Sequence, residues 1–333
     1  MSEQGKQSRI GAWMGGLWQR LHPQATGEEP VLQATDRVVQ IADPVIRQAK
    51  GYRRILAGPI AGSMQYFESL LETIPGPVIL DRKRYYDDPT VKALFASPDE
   101  LDEVLHYNPE INKLRKQGLS GEMVAMMTML QQERTIFGHK QEGELIIREV
   151  RQQAVSFSDH RIVAPSLDLQ TTRNGIVNRG LEVLATVAME RITTLRANKA
   201  ELQGQKEYLQ GMVKILGGRS HRQEIFAAPT SQNREELRKV EQRLAEVEEE
   251  LEQLRRQIAL PEQSLAHLEE VLAQPQSMLA AHRQTLRLDW KGVRVDDEPD
   301  GEGNDITLAE FSVEDVRRSA VLVRFTLTAP PLA

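Results

Sequence analysis

Apolar positions recur every seven residues over two long stretches of the chain. Leu181, Ala188, Leu195, Leu202, Leu209 and Leu216 make the first series, accompanied by Leu184, Ile192 and Met212. Leu237, Leu244, Leu251, Ile258, Leu265, Leu272 and Leu279 make the second, with Val240, Val247, Leu254 and Leu268 three residues beyond four of them. Sustained 3-4 spacing is the mark of a coiled-coil seam, so residues 175–284 predict a two-helix arm. Gly217-Gly218 reads as the stop of the first helix, and Asn233 with Glu236 as the capping pair that starts the second. Pro261 and Pro275 predict breaks near Leu260 and Gln274. The tip then covers 217–232. A connection of that length lets the chain reverse, which favours an antiparallel hairpin within one chain over a parallel dimer.

Other patterns organise the remainder. Ile10, Trp13, Met14, Leu17, Trp18 and Leu21 lie on one face of a helix over residues 1–22. With Lys6, Arg9 and Arg20 off that stripe, this amphipathic segment suits docking on a membrane surface or a larger complex. Pro23, Gly27 and Pro30 make 23–35 read as a linker. Residues 36–174 read as a mainly helical head, with helices near 36–50, 60–74, 89–96, 99–106 and 120–136. Ser97-Pro98-Asp99-Glu100 carries an N-cap, a proline at the first helical position and first-turn carboxylates, and Ser120 resembles a second such start. Short strands are expected near 78–80 and on either side of a Ser158-Asp159 turn. Past 285, alternation at 285–290, 292–295, 306–311 and 319–328 predicts a β-rich segment that packs on the head, the strands near 78 and 155 completing its sheet. The fold class read from these patterns is mainly α (α+β): a globular helical head with a small antiparallel sheet and a long antiparallel coiled-coil hairpin.

Composition agrees with that picture and narrows the function classes. Aromatics make up 5% of the 333 residues and charged residues 27%, the balance of long exposed helices. A formal charge of −6 gives no global attraction to nucleic acid or anionic lipid. The six basic and eight acidic residues of 233–258 deny the arm a basic stripe, so nucleic-acid binding is disfavoured. The absence of cysteine removes disulfides, thiolate nucleophiles and thiolate metal sites. No apolar run approaches the roughly 18 residues of a spanning helix, and no apolar signal region precedes a cleavage site, so cytoplasmic residence is expected.

Candidate chemistry is sparse. None of the seven histidines has zincin-type spacing, and no metal, cofactor or catalytic residue is assigned. Ser158-Asp159-His160-Arg161 contains the residue types of a hydrolytic triad, yet neighbours in a turn cannot converge as a triad must. The acidic run 296–301 departs from a calcium loop at its twelfth position, where Thr307 stands in place of glutamate. Met123, Met126, Met127 and Met129 read as helix core. Arg82-Lys83-Arg84 beside Tyr85-Tyr86 reads as a surface turn. At the arm's tip, Arg219, His221, Arg222 and Phe226 place cations, a histidine and an aromatic where a partner can reach them. The leading expectation is a non-enzymatic interaction or scaffold protein that binds a protein partner through the arm. The competing one is an enzyme whose site in 36–174 uses carboxylates such as Asp81, Asp87, Asp88 or Asp159.

Overall fold

The computed structural model describes residues 28–142, 145–226, 231–295, 303–313 and 315–328. The chain divides into two compact units, Gly62–Leu181 with Gln274–Ala333, and Met1–Ala61 with Glu182–Ala273.

The first unit is organised by one sheet. Its strands are β1 (Val78–Ile79), β2 (Gly121–Glu142), β3 (Leu145–Ser166), β4 (Ala280–Leu288), β5 (Asn304–Val313) and β6 (Val316–Leu327). The order is β3-β2-β6-β5-β4 with antiparallel neighbours, while β1 runs parallel to β6 at Val323 and Arg324, past the end of the β5 ladder at Ala320. Residues 292–295 join the two edge strands. Val155 N–H donates to Gly292 O and Arg294 N–H to Gln153 O, both at 2.8 Å, and Arg294 also bridges to Leu288. The sheet therefore curls around its own core of Met123, Ala125, Met127, Met129, Phe157, Leu288, Leu308, Val321, Val323 and Phe325.

Short helices pack on that core: α4 (Pro89–Leu94), α5 (Pro98–Tyr107) and α6 (Pro109–Lys116), preceded by the single turn α3 (Arg84–Asp87). Three of them start in the same way, with a capping side chain followed by proline. Asp88 accepts from Thr90 N at 2.8 Å, Ser97 from Glu100 N at 3.1 Å, and Asn108 from Glu110 N and Ile111 N at 2.9 and 3.1 Å. Each cap contributes about 1 kcal/mol. The cap and proline at 97–98 match the expected start; the same pair at Asn108-Pro109 opens a helix that is not among the expected ones.

Several expectations are corrected here. The segment 120–136 is not a helix but the first part of β2. The strand is covered on both faces, with Met123, Met127 and Met129 fully buried on one and Val124 and Met126 at 7% and 8% exposure on the other. A strand buried on both sides reads as a continuous apolar run, and its period of two disappears. Methionine's helix propensity then misleads, because tertiary pairing overrides it. Ser158-Asp159 is not a turn between two strands; both residues lie inside β3. The ladder with β2 shifts register between Thr128/Leu130, leaving a β-bulge at Asp159, whose φ is 50°. The expected strand at 292–295 contributes only isolated bridges. Of the described residues 60% are helical and 26% strand, a mixed helix-and-sheet fold with one largely antiparallel sheet, as the α+β reading expects.

The second unit is helical. It holds α1 (Glu28–Ala42), a 3₁₀ turn (Pro44–Gln48), the first part of α2 (Tyr52–Leu71), most of α7 (Leu169–Phe226), α8 (Ser231–Ile258) and α9 (Pro261–Ala273). Val38, Val39, Ile46, Leu56, Ile60, Leu184, Ala188, Ile192, Leu265, Leu268 and Leu272 are among its buried residues. Residues 28–35 are helical, so the linker reading of 23–35 fails for that part; the remainder lies outside the described residues. The helix breaks at Pro261 and Pro275 are present, the latter opening α10 (Pro275–Met278) of the sheet unit. Gly217-Gly218 does not stop α7, which runs on to Phe226. A glycine ends a helix by taking a positive φ, and among the described glycines only 51, 76, 118, 121 and 292 do so.

Candidate functional site

The two longest helices of the chain, α7 and α8, are separated by residues 227–230 alone. At 1.5 Å per residue α8 extends about 42 Å. Of residues 234–258, only 237, 240, 244, 247, 251, 254 and 258 are shielded from solvent, which is the 3-4 heptad series. On α7 the positions 192, 195, 199, 202, 206, 209, 213 and 216 follow the same spacing and are all shielded. Lys206 Nζ lies 3.0 Å from Glu248 Oε1. Ten residues earlier on α7, Arg196 Nη2 donates to Ser264 Oγ of α9 at 3.4 Å. The α7 numbers fall from Lys206 to Arg196 as the facing residue numbers rise from Glu248 to Ser264.

A buried carboxylate fastens the base of α7 in this unit. Asp43 is 4% exposed; its side chain accepts from Val45 N at 3.1 Å, capping the 3₁₀ turn, and it pairs with Arg196. The guanidinium side chain is 45% exposed. The two partners should therefore behave unequally. Arg196→Met strands a buried charge, with an expected loss of about 3 kcal/mol. Asp43→Asn leaves an arginine that can turn to water, with a loss of about 1 kcal/mol. In urea unfolding the double variant should be more stable than Arg196→Met alone; equal losses from the two single variants would contradict this geometry.

Both helices also carry positions that are open to solvent. On α7, Tyr208 and Ile215 stand one heptad apart at 68% and 52% exposure. A Cβ on Gly204, Gly211 or Gly218 would meet nothing within 4 Å. On α8 the exposed side chains between 246 and 252 include Glu246, Glu248, Glu249, Glu250 and Glu252. The candidate binding residues read from sequence lie at the tip; Tyr208 and Ile215 are not among them, although their seven-residue spacing beside glycines is visible in the sequence. Arg219 lies on the helix and is exposed. The side chains of His221, Arg222 and Phe226 lie outside the described residues, as do Ile10, Trp13, Met14, Leu17, Trp18 and Leu21.

In the sheet unit, most of the carboxylates considered for catalysis hold the backbone or an arginine. Asp88 caps α4, and Asp81 Oδ1 accepts from Lys83 N at 2.7 Å. Asp159 pairs with Arg318 at 2.7 Å and Arg161 at 2.9 Å, while Arg318 also donates to Thr128 Oγ1, tying the bulge of β3 to β2 and β6. Asp87 lines a cleft. Arg82 of the basic cluster is engaged by Asp99 and Asp102 at 2.7 and 2.5 Å. Among the described residues no three His, Asp or Glu side chains converge on a metal position. The acidic run 296–301 lies outside the described residues.

His160, next to Asp159 on the bulge, turns into the core. It stacks on Phe95 with ring centroids 4.6 Å apart, and its Nε2 lies 2.7 Å from Leu94 O, to which it donates. Burial pushes its pKa below the ordinary 6.5, against the opposing effects of the Leu94 carbonyl and Glu100. The folded chain thus resists a proton that the unfolded chain accepts. Stability is full above the unfolded value and declines as pH falls through about 6.5 toward the folded value. The Asp159 carboxyl is also depressed, by the hydrogen bond from Arg318 first and against an opposing effect of burial. Its contribution is present above the ordinary carboxylate range and is lost further down the acid limb. His160→Gln should flatten the fall in urea midpoint between neutral pH and pH ~5.5 without altering the lower step; an unchanged slope would show that another group is responsible.

No protein-family model matches the chain, and no curated protein or solved structure matches it.

Proposed function

We propose that this is a non-enzymatic interaction or scaffold protein. In this reading α7 and α8 form an antiparallel coiled-coil hairpin, and the surfaces that the pair leaves in solvent bind a protein partner. The observation that carries it is the confinement of shielding on α8 to its heptad seam. A helix of 28 residues that buries one stripe against its neighbour adds little to a core. What it offers is a long charged surface at fixed geometry, beside the exposed Tyr208 and Ile215 of α7. An exposed aromatic anchor within a polar rim is a common element of protein interfaces. The structural engagement of Asp81, Asp88 and Asp159 supports the same reading over carboxylate catalysis.

The N-terminal segment with Trp13 and Trp18 would dock the protein on a membrane surface or a larger complex, and the proposed residence is cytoplasmic. No helix among the described residues is long and apolar enough to cross a membrane. The arm is tested by deleting 203–216 together with 238–251, which removes two heptads from each helix in register and leaves the root residues in place. Affinity purification with mass spectrometry should then lose the partner retained by the intact chain, with the thermal unfolding of the sheet unit unchanged. Retention of the same co-purifying proteins would refute binding through the arm.

A further inference from the structure

A cleft of about 440 Å³ opens into the sheet unit beside the residues that join its edge strands. Its volume falls within the range of about 300 to 1,000 Å³ that is typical of small-molecule sites. The floor is apolar, with Phe95, Phe157 and Leu288 at 2%, 6% and 2% exposure, and the lip carries Trp290 at 70% and Tyr86 at 71%. Trp290 sits on a fastened turn: Asp289 Oδ1 accepts from Lys291 N and Val293 N, both at 2.8 Å, and Gly292 O accepts from Val155 N. The indole is therefore presented to solvent by a rigid backbone, where it buries little in the free protein.

Two ammonium groups flank that indole. Lys291 Nζ is 4.8 Å and Lys92 Nζ 5.9 Å from its ring centroid. Among the described residues neither lysine is held in a salt bridge. Three carboxylates also line the cleft; Asp88 and Asp289 accept backbone N–H groups through Oδ1 and keep their charge, and the two ammonium groups stand against the indole. A cationic ligand is disfavoured, because the ring already has cations of the protein against it. A neutral apolar ligand would cover the indole and leave both ammonium groups unanswered. We infer that the cleft binds a small planar aromatic anion, its ring stacked on Trp290 and its acidic group held by Lys92 and Lys291. Stacking on the indole and charge-assisted hydrogen bonds from the two lysines act together, the ammonium groups turning from the ring to the acidic group as the ligand stacks, and the turn orients the indole in advance.

The test is isothermal titration of the full chain with two aromatic anions, AMP and 2-naphthoate, each beside its uncharged counterpart, adenosine and 2-naphthamide. Each anion should bind at least about tenfold more tightly than its counterpart. Trp290→Ala should weaken anion binding by about tenfold, and Lys92→Gln with Lys291→Gln should bring each anion to the affinity of its neutral analogue. These side chains lie at the lip, so unfolding temperatures should match that of the parent chain, which separates a lost site from a lost fold. Absence of saturable binding of either anion at millimolar concentration would overturn the assignment, as would wild-type affinity in Trp290→Ala or equal affinity for charged and neutral members of both pairs.

Discussion

Gly76→Ala should destabilise the sheet unit by at least about 3 kcal/mol, seen in calorimetry as a fall in Tm of roughly 10 °C. Two effects combine at this position. The residue has φ of +113°, a conformation that L side chains rarely adopt, and an added Cβ would stand 2.4 Å from the carbonyl oxygen of Leu322. That oxygen belongs to the backbone of β6, the strand to which β1, β2 and β5 all pair, so it cannot swing aside like a side chain. The close approach has a reason. Pro75 O accepts from Leu322 N at 2.8 Å and Leu80 N donates to Arg324 O at 2.7 Å, so the chain lies directly against β6 from one side of Gly76 to the other. Gly118 supplies the control, since its φ is +78° but nothing lies within 4 Å of its Cβ position. Gly118→Ala should cost only the left-handed strain, about 1–2 kcal/mol. Equal shifts for the two variants would mean that β1 does not press on β6 as described.

The second large effect concerns the methionines of β2. Met127 and Met129 are fully buried on the inner face of the sheet, two residues apart. Truncating either to alanine should lose about 2–5 kcal/mol through lost burial and an unfilled cavity. Gln132 is exposed further along the same strand, where β6 no longer pairs with it, and Gln132→Ala should fall within about 0.5 kcal/mol of the parent chain. Urea midpoints of the three variants check this, and a Met129→Ala protein as stable as Gln132→Ala would place Met129 outside the core.

How far the sequence reveals this molecule depends on how local each signal is. The 3-4 spacing of α8 is legible because its shielded positions between 234 and 258 form a single stripe, and the cap-proline pairs are legible because their hydrogen bonds reach only two or three residues ahead. β2 is hidden by burial on both faces. β3 is legible only in part, as the two short strands expected about Ser158-Asp159, because register shifts accompany positive φ at Glu149, Asp159 and Ala164, and each extra residue resets the alternation that a strand would otherwise display. Gly217-Gly218 was over-read, since glycine permits a helix stop without requiring one. The cleft could not be read at all. Tyr86, Phe157 and Trp290 lie far apart in the chain and meet only because residues 292–295 join the edges of the sheet.

Partner binding by the arm presupposes that α7 and α8 pair within one chain. The lack of any native cysteine makes this directly measurable, because introduced cysteines are the only sites that a thiol-reactive spin label can modify. In Lys206→Cys/Glu248→Cys protein, diluted with excess unlabelled chain, pulsed dipolar spectroscopy should report one short distance on the order of 20 Å, as expected for packed helices whose axes lie about 8–10 Å apart plus the label arms. The undiluted single variant Lys206→Cys should show no such distance. A short distance in that single variant, or its absence from the diluted double variant, would contradict an intramolecular antiparallel hairpin.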